Sequence, residues 1–168
     1  MTIRPARESD LPALLDIYNY EVEHGAATLD LTPRTLGEWQ EWFAAHQTDE
    51  HFILVGEEDG VPVGYASLSE YRQKEAYSST AELSVYISKE YRRRGAASAL
   101  MGAVLGRARE CGGLHSVVSV ITAGNEASEK LHAKFGFRFC GTLHEVGFKQ
   151  GKYQDIDNFE LILSGQER

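Results

Sequence analysis

Cysteine, methionine and tryptophan occur only twice each in the 168 residues, proline four times, and no apolar run approaches the roughly 20 residues needed to cross a bilayer. Each shortage excludes something. Cys111 and Cys140 share no CxxC spacing, so neither a disulfide framework nor a thiolate metal site is expected, and both thiols read as inert groups of a reducing compartment. The opening Met1-Thr2-Ile3-Arg4-Pro5 lacks an apolar signal-type segment, so the expected location is the cytoplasm, with no membrane partner. Basic residues are scarce early: through Gly60 there are 13 acidic against 3 basic, and beyond it 12 against 14. A formal net charge of -8 disfavours nucleic acid as a partner, whereas the local cluster Arg92-Arg93-Arg94 can still hold a phosphorylated small molecule.

What is present is ordinary for a globular chain, with 42% hydrophobic and 25% charged residues, and its length suits one domain over residues 1–168. Helical spacing of Leu11, Leu14, Leu15 and Tyr18 after Ser9-Asp10 predicts a first helix, following a short strand near Thr2 to Pro5. A second helix is expected over Thr35 to Ala45, with Trp39 and Trp42 as core. His51 to Glu57 and Pro62 to Ser69 read as a hairpin turning at Asp59-Gly60. Tyr71 to Ser79 reads as a loop. Thr80 to Ser88 alternates, placing Leu83, Val85 and Ile87 on one face and Glu82, Ser84 and Tyr86 on the other. A helix after Gly95, a β-branched strand Ser116 to Thr122, a helix capped by Asn125 and two strands near Phe137 to Val146 and Asp155 to Leu163 complete the order. Helices interleave with a hairpin-rich sheet that also needs late crossovers, so the expected class is α/β, or α+β by a stricter label, with a mixed sheet and helices on both faces.

The most informative segment runs from Ser84 through Arg92-Arg93-Arg94-Gly95-Ala96-Ala97-Ser98, where a strand leads through a basic turn into a helix. Helix N-termini leave backbone N–H groups unpaired and carry partial positive charge, so small residues there can cradle a pyrophosphate, with arginines as counter-charge. A solvated arginine face with a plain turn glycine is the competing interpretation. No Gly-Lys-Ser/Thr follows the turn, and GxGxxG spacing is absent, which sets aside the two common nucleotide loops.

Arg92-x-x-Gly95-x-Ala97, after a strand and opening a helix, resembles the Q/R-x-x-G-x-G/A signature of the GNAT N-acetyltransferases. Asn125-Glu126-Ala127-Ser128-Glu129-Lys130-Leu131-His132 with Gly136-Phe137, and Gly141-Thr142-Leu143 followed by Val146-Gly147-Phe148-Lys149, resemble the phosphinothricin acetyltransferase branch, and the element order agrees over nearly the whole chain. The resemblance implies a single GNAT domain, mostly antiparallel, with a strand pair that parts after Glu82. The backbone at Val85, Tyr86 and Ile87 would bind the pantetheine arm of acetyl-CoA like an added strand. Residues Arg92, Arg93, Arg94, Gly95, Ala96, Ala97 and Ser98 would hold its pyrophosphate. Asn125 and Ser128 would contact the cofactor, although Asn125 also suits a simple helix cap. The resemblance further implies catalytic roles for Glu82, as the group that helps remove the ammonium proton, and for His132, which could hold or protonate the leaving thiolate or itself be the base. Surface or structural roles for either remain open. Arg72, Lys74, Tyr77 and Leu29 would select the substrate.

The expected reaction is direct transfer from acetyl-CoA to the α-amino group of a small amino-acid analogue of the phosphinothricin, methionine sulfoximine or methionine sulfone type, without a metal. Acetylation of a protein or peptide, and a non-catalytic acyl-CoA sensor, are the alternatives. Resemblance also implies a homodimer.

Overall fold

The structure, a computed structural model, describes residues 1–163. Its strands are β1 (Thr2–Pro5), β2 (Phe52–Glu58), β3 (Val61–Glu70), β4 (Thr80–Ile87), β5 (Ser116–Thr122), β6 (Arg138–Lys149) and β7 (Lys152–Ile162). They form one sheet in the order β1-β2-β3-β4-β5-β7-β6, antiparallel except for β4 against β5. Helices α1 (Leu11–His24) and α2 (Leu36–Ala44) cover one face, and α3 (Ala96–Glu110) and α4 (Glu126–Lys134) the other. The expected mixed sheet with helices on both faces is therefore present. Among the described residues no helix is long and apolar enough to cross a membrane.

The alternation of β3 and β4 produces two cores. Leu83 joins Leu68, Leu100, Met101, Val104 and Val117 beneath α3, whereas Tyr65 joins Leu11, Leu14, Trp39, Ile53 and Val55 beneath α1 and α2. Thr35 caps α2 by accepting from the Glu38 N–H, and Glu38 returns a bond to the Thr35 N–H, a reciprocal cap that fixes where α2 starts. Of Ser9 and Asp10, Asp10 takes the N-cap position of α1 but makes no side-chain cap bond; its carboxylate takes the Arg4 guanidinium and the Arg7 N–H at 2.7 Å, and the chain enters α1 through a 3-10 turn, Glu8–Asp10.

The last two strands are longer than the sequence pattern suggests. Gln150 and Gly151 at φ 55° and 75° form a two-residue turn, so β6 and β7 continue as a long hairpin where a gap after Val146 was expected. Register shifts between Phe139 and Gly141 and between Leu143 and Gly147 hid the alternation. Beside the turn, at the hairpin's tip, Lys149 Nζ donates to the carbonyls of Glu21 and Thr28 at 3.2 and 2.7 Å, tying the hairpin to the end of α1.

Candidate active site: parted strands and an aromatic cavity

β4 and β5 pair only at Thr80↔Ser116, Ala81↔Val117 and Glu82↔Val118, and then diverge while β5 continues along β7. The alternation of backbone groups decides what the gap receives. Ser88 N–H donates to Val63 of β3, and the Leu83 carbonyl faces Ser119 of β5, so the even residues of β4 pair with β3 and the odd ones face the other way. The N–H and C=O of Val85 and Ile87 therefore point into the gap. Tyr86 does not: its backbone faces Tyr65 of β3, and its side chain turns toward α1, stacked on Tyr65 and edge-on to Tyr18. The expected cofactor contact at Tyr86 is corrected on that geometry.

Beyond β4 a 3-10 turn, Lys89–Tyr91, leads to Arg93 at φ 61° and Gly95 at φ 82°, after which α3 begins. Glycine is required at 95 by that dihedral, since a Cβ there would meet nothing within 4 Å. Backbone bonds of the turn run from Tyr91 N–H to Ser88 and from Ala99 N–H to Gly95. Among the described residues the N–H groups of 93 to 98 find no backbone acceptor, and the space above Gly95 is open. This cradle and the exposed arginines beside it fit a diphosphate. Ala96 is turned into the core, leaving its N–H as its contribution. Ser98 Oγ accepts from Lys134 Nζ at 2.7 Å.

The three arginines differ. Arg92 pairs with the buried Glu21 of α1 and donates Nε–H to the Ile87 carbonyl at 3.2 Å, so it braces the turn against α1. Arg94 lies over the Tyr91 ring at 5.2 Å, and Arg93 is exposed.

On the α1–α2 face lies a cavity of about 430 Å³, lined by Glu82, Ser84 and Tyr86 of β4, Tyr65, Ser67 and Ser69 of β3, and Tyr18, Thr28, Asp30, Arg34, Glu38, Trp39 and Trp42. Trp39 thus serves both core and cavity wall. Glu82 is half-buried with no hydrogen-bond partner among the described residues, and burial pushes its carboxyl up from the ordinary glutamate range. A raised pKa makes it a better proton acceptor than a surface carboxylate. Burial also pushes the Tyr18 phenol up to about 12, and the phenol donates to Asp30 at 2.5 Å. Arg34 is bound at 2.9 Å to Asp30 and at 3.3 Å to Glu38, so the one cation lining the cavity is already neutralised.

His132 is not in this cavity. It lies on the opposite face of the sheet, 4% exposed, against Phe137 and Phe159. Its Nδ1–H donates to the Ser128 carbonyl at 2.7 Å, which leaves Nε2 to accept from Ser119 Oγ at 2.8 Å. Burial lowers its pKa, so the ring is neutral near pH 7. Ser119 stands one residue past the last β4–β5 pair, at the crotch of the gap, and it is the group through which His132 can touch anything bound there. Asn125 caps α4 by accepting from Ser128 N–H at 3.2 Å, the local bond that the plain cap requires.

The four expected selectivity residues sit outside the cavity wall. The Arg72 guanidinium rests over Tyr71 at 4.9 Å and Tyr77 at 5.8 Å, in the loop between Glu70 at the end of β3 and Thr80 at the start of β4. Leu29 packs over Gly147 of β6, between cavity residues Thr28 and Asp30. The sequence reading missed Tyr18, Asp30, Arg34, Ser69 and Ser119: the Asp30–Arg34 pair lies in a stretch without period, and the other three act through contacts 12 or more residues away.

A sheet opened beside a helix N-terminus, with a carboxylate in an adjoining cavity, defines an N-acyltransferase that uses acyl-CoA. Residues 14–137 match the Acetyltransferase (GNAT) family, and the chain belongs to it. It is 38% identical to a phosphinothricin N-acetyltransferase of Streptomyces coelicolor over 96% of this chain and 95% of that one. Identity is also 38% to an L-methionine sulfoximine/L-methionine sulfone acetyltransferase of Pseudomonas paraeruginosa, over 96% and 94%. The fold superposes with a TM-score of 0.92 on a phosphinothricin acetyltransferase from Sinorhizobium meliloti in complex with acetyl-CoA, 31% identical, over 96% of this chain and 88% of that one.

Proposed function

We propose that this protein acetylates the α-amino group of a small amino-acid analogue of the phosphinothricin, methionine sulfoximine or methionine sulfone type, using acetyl-CoA. The observation that carries the reading is the parting of β4 from β5 immediately after Glu82, which leads directly into the unpaired amides of residues 93 to 98. The names of the relatives support the substrate class.

Bound there, acetyl-CoA supplies an activated acyl carbon. Val85 and Ile87 offer backbone bonds to its arm, and the amides of Arg93 to Ser98, with the Arg93 and Arg94 side chains, hold its diphosphate. Arg92 contributes by bracing the turn on Glu21. Glu82, raised by burial, takes a proton from the substrate ammonium directly or through water, since a protonated amine has no lone pair with which to attack. Strand N–H groups at the gap stabilise the developing oxyanion. Ser119 can turn its hydroxyl proton from His132 Nε2 to hydrogen-bond the departing sulfur, which leaves as the thiolate.

The edge hairpin exposes Phe139, Leu143, Val146, Phe148 and Tyr153, which supports a homodimer closed over this apolar surface; sedimentation at micromolar concentration tests it. Use of acetyl-CoA supports a cytoplasmic location. Thiol release from acetyl-CoA, measured over free amino acids, their sulfone, sulfoximine and phosphinate analogues, and short peptides, tests the activity. Preference for a peptide, or no turnover with any small analogue, overturns the substrate class.

A further inference from the structure

Two buried histidines of this fold are held in the same way. His132 bonds the carbonyl four residues back in its own helix and the hydroxyl of Ser119. His46, just past α2, gives Nδ1–H to the Trp42 carbonyl at 2.6 Å and meets Ser69 Oγ with Nε2 at 2.7 Å. A carbonyl can only accept, so in the neutral ring Nδ1 carries the proton and Nε2 receives that of Ser69. The first pair stands at the crotch of the gap; the second reaches the amine cavity, because Ser69 lines it and is the direct cross-strand partner of Glu82.

We propose that Ser69 and His46 form the proton-accepting relay behind Glu82. It rests on the acetyl-transfer reading above and extends it to the fate of the proton. Directly opposed residues on one face of an antiparallel pair keep their Cβ atoms about 4.5–5.5 Å apart, so the Glu82 carboxyl, which bonds no described side chain, is within reach of the Ser69 hydroxyl across one water. Ser69 has its own proton committed to His46, and its lone pairs face the cavity. The substrate N–H bond breaks as an O–H bond forms on Glu82. That proton then moves to Ser69 Oγ while the Ser69 proton moves to His46 Nε2. An ammonium and a neutral imidazole become an amine and an imidazolium, and charge is conserved. The imidazolium would keep its bond to Trp42 O and lie beside the Trp42 ring, whose centroid is 4.9 Å away. Glu82 on β4 and His51 ahead of β2 are the titratable groups on either side of the relay, while Asp30, Arg34 and Glu38 occupy the far cavity wall. Burial, aided by His51, keeps the resting His46 neutral with Nε2 open to the Ser69 proton, and the backbone bond to Trp42 O pulls the other way, toward the imidazolium.

The test compares wild type, Ser69→Ala, Ser69→Thr and His46→Gln with two amines of similar shape, one strongly and one weakly basic, at saturating acetyl-CoA across pH. For the basic amine Ser69→Ala and His46→Gln should each lower kcat about tenfold, less than the loss of a group that takes the proton first because Glu82 remains, and move the acid limb of the profile. Ser69→Thr, which keeps the hydroxyl, should restore it. For the weakly basic amine, which needs little help to deprotonate, the loss should shrink to within about twofold, with the KM for acetyl-CoA unchanged. Equal losses for both amines, or none for the basic one, overturn the relay and leave the acetyl-transfer reading standing. A wild-type protein that binds no acetyl-CoA in calorimetry overturns that reading first, and the relay with it.

Discussion

Replacing Glu82 by glutamine keeps the shape of the side chain and removes its capacity to take a proton. A positioned acid–base group contributes roughly 10²–10⁴-fold to rate. Two features set the lower part of that range here: the cavity admits water, and Ser69 and Ser84 flank the carboxylate. The expected loss in kcat at neutral pH is thus about 100-fold, or about 2.7 kcal/mol of transition-state stabilisation. Stability should move the other way. A carboxyl whose folded pKa is raised binds its proton more tightly in the folded chain, so at pH above that value its ionised form disfavours folding. Glu82→Gln should therefore melt at the same or a slightly higher temperature at pH 7. The assay is thiol release at saturating acetyl-CoA from pH 6 to 10, with thermal melts alongside. The deficit should narrow as pH passes the amine's own pKa, because the nucleophile then forms without help. A deficit that is constant with pH, or accompanied by a lower melting temperature, would refute a proton-accepting role.

Gly95→Ala adds a methyl in open space but at φ 82°, at a cost of roughly 1–2 kcal/mol, and should weaken acetyl-CoA binding in calorimetry several-fold without touching the amine KM. Arg92→Ala leaves the buried Glu21 without its cation; about 1–3 kcal/mol should be lost in denaturant titrations, with a higher KM for acetyl-CoA as the turn loosens. Lys149→Met strands two carbonyls, those of Glu21 and Thr28, and should cost about 2 kcal/mol and lower the melting temperature. His132 and His46 both have lowered pKa values, so as pH falls below about 6.5 the unfolded chain binds protons that the folded one refuses and stability declines; His132→Gln should flatten that decline in melts between pH 7 and 5.

The parts of the fold legible in the sequence are those encoded by local period. Leu83-Val85-Ile87 against Glu82-Ser84-Tyr86 fixes which face of β4 meets α3 and which meets the cavity, and the turn before α3 announces itself by three arginines and Gly95. Where the sequence misled, a long-range contact decided. Tyr86 could be given to the cofactor only while the pairing of β4 with β3 was unknown. Ser69 and Ser119 carry no local signal at all: each is one serine in a strand, given meaning by a histidine 23 or 13 residues away.

The uneven charge of the chain gains a purpose from this layout. Asp30 and Glu38, from the acid-rich first sixty residues, line the cavity with Glu82, whereas Arg93 and Arg94 flank the open amides at the other end of β4. One strand thus separates a region that attracts an ammonium from one that attracts a diphosphate, and Arg92 with Glu21 forms the seam between them. On the proposed reading the two ligands would be sorted by sign before any specific contact forms. Because the turn is exposed and the cavity is partly enclosed, added salt screens the former more strongly. Raising ionic strength from 0.05 to about 0.5 M should therefore increase the KM for acetyl-CoA by a larger factor than that for the amine. Equal sensitivity of the two constants would mean that the turn arginines do not act on the incoming diphosphate.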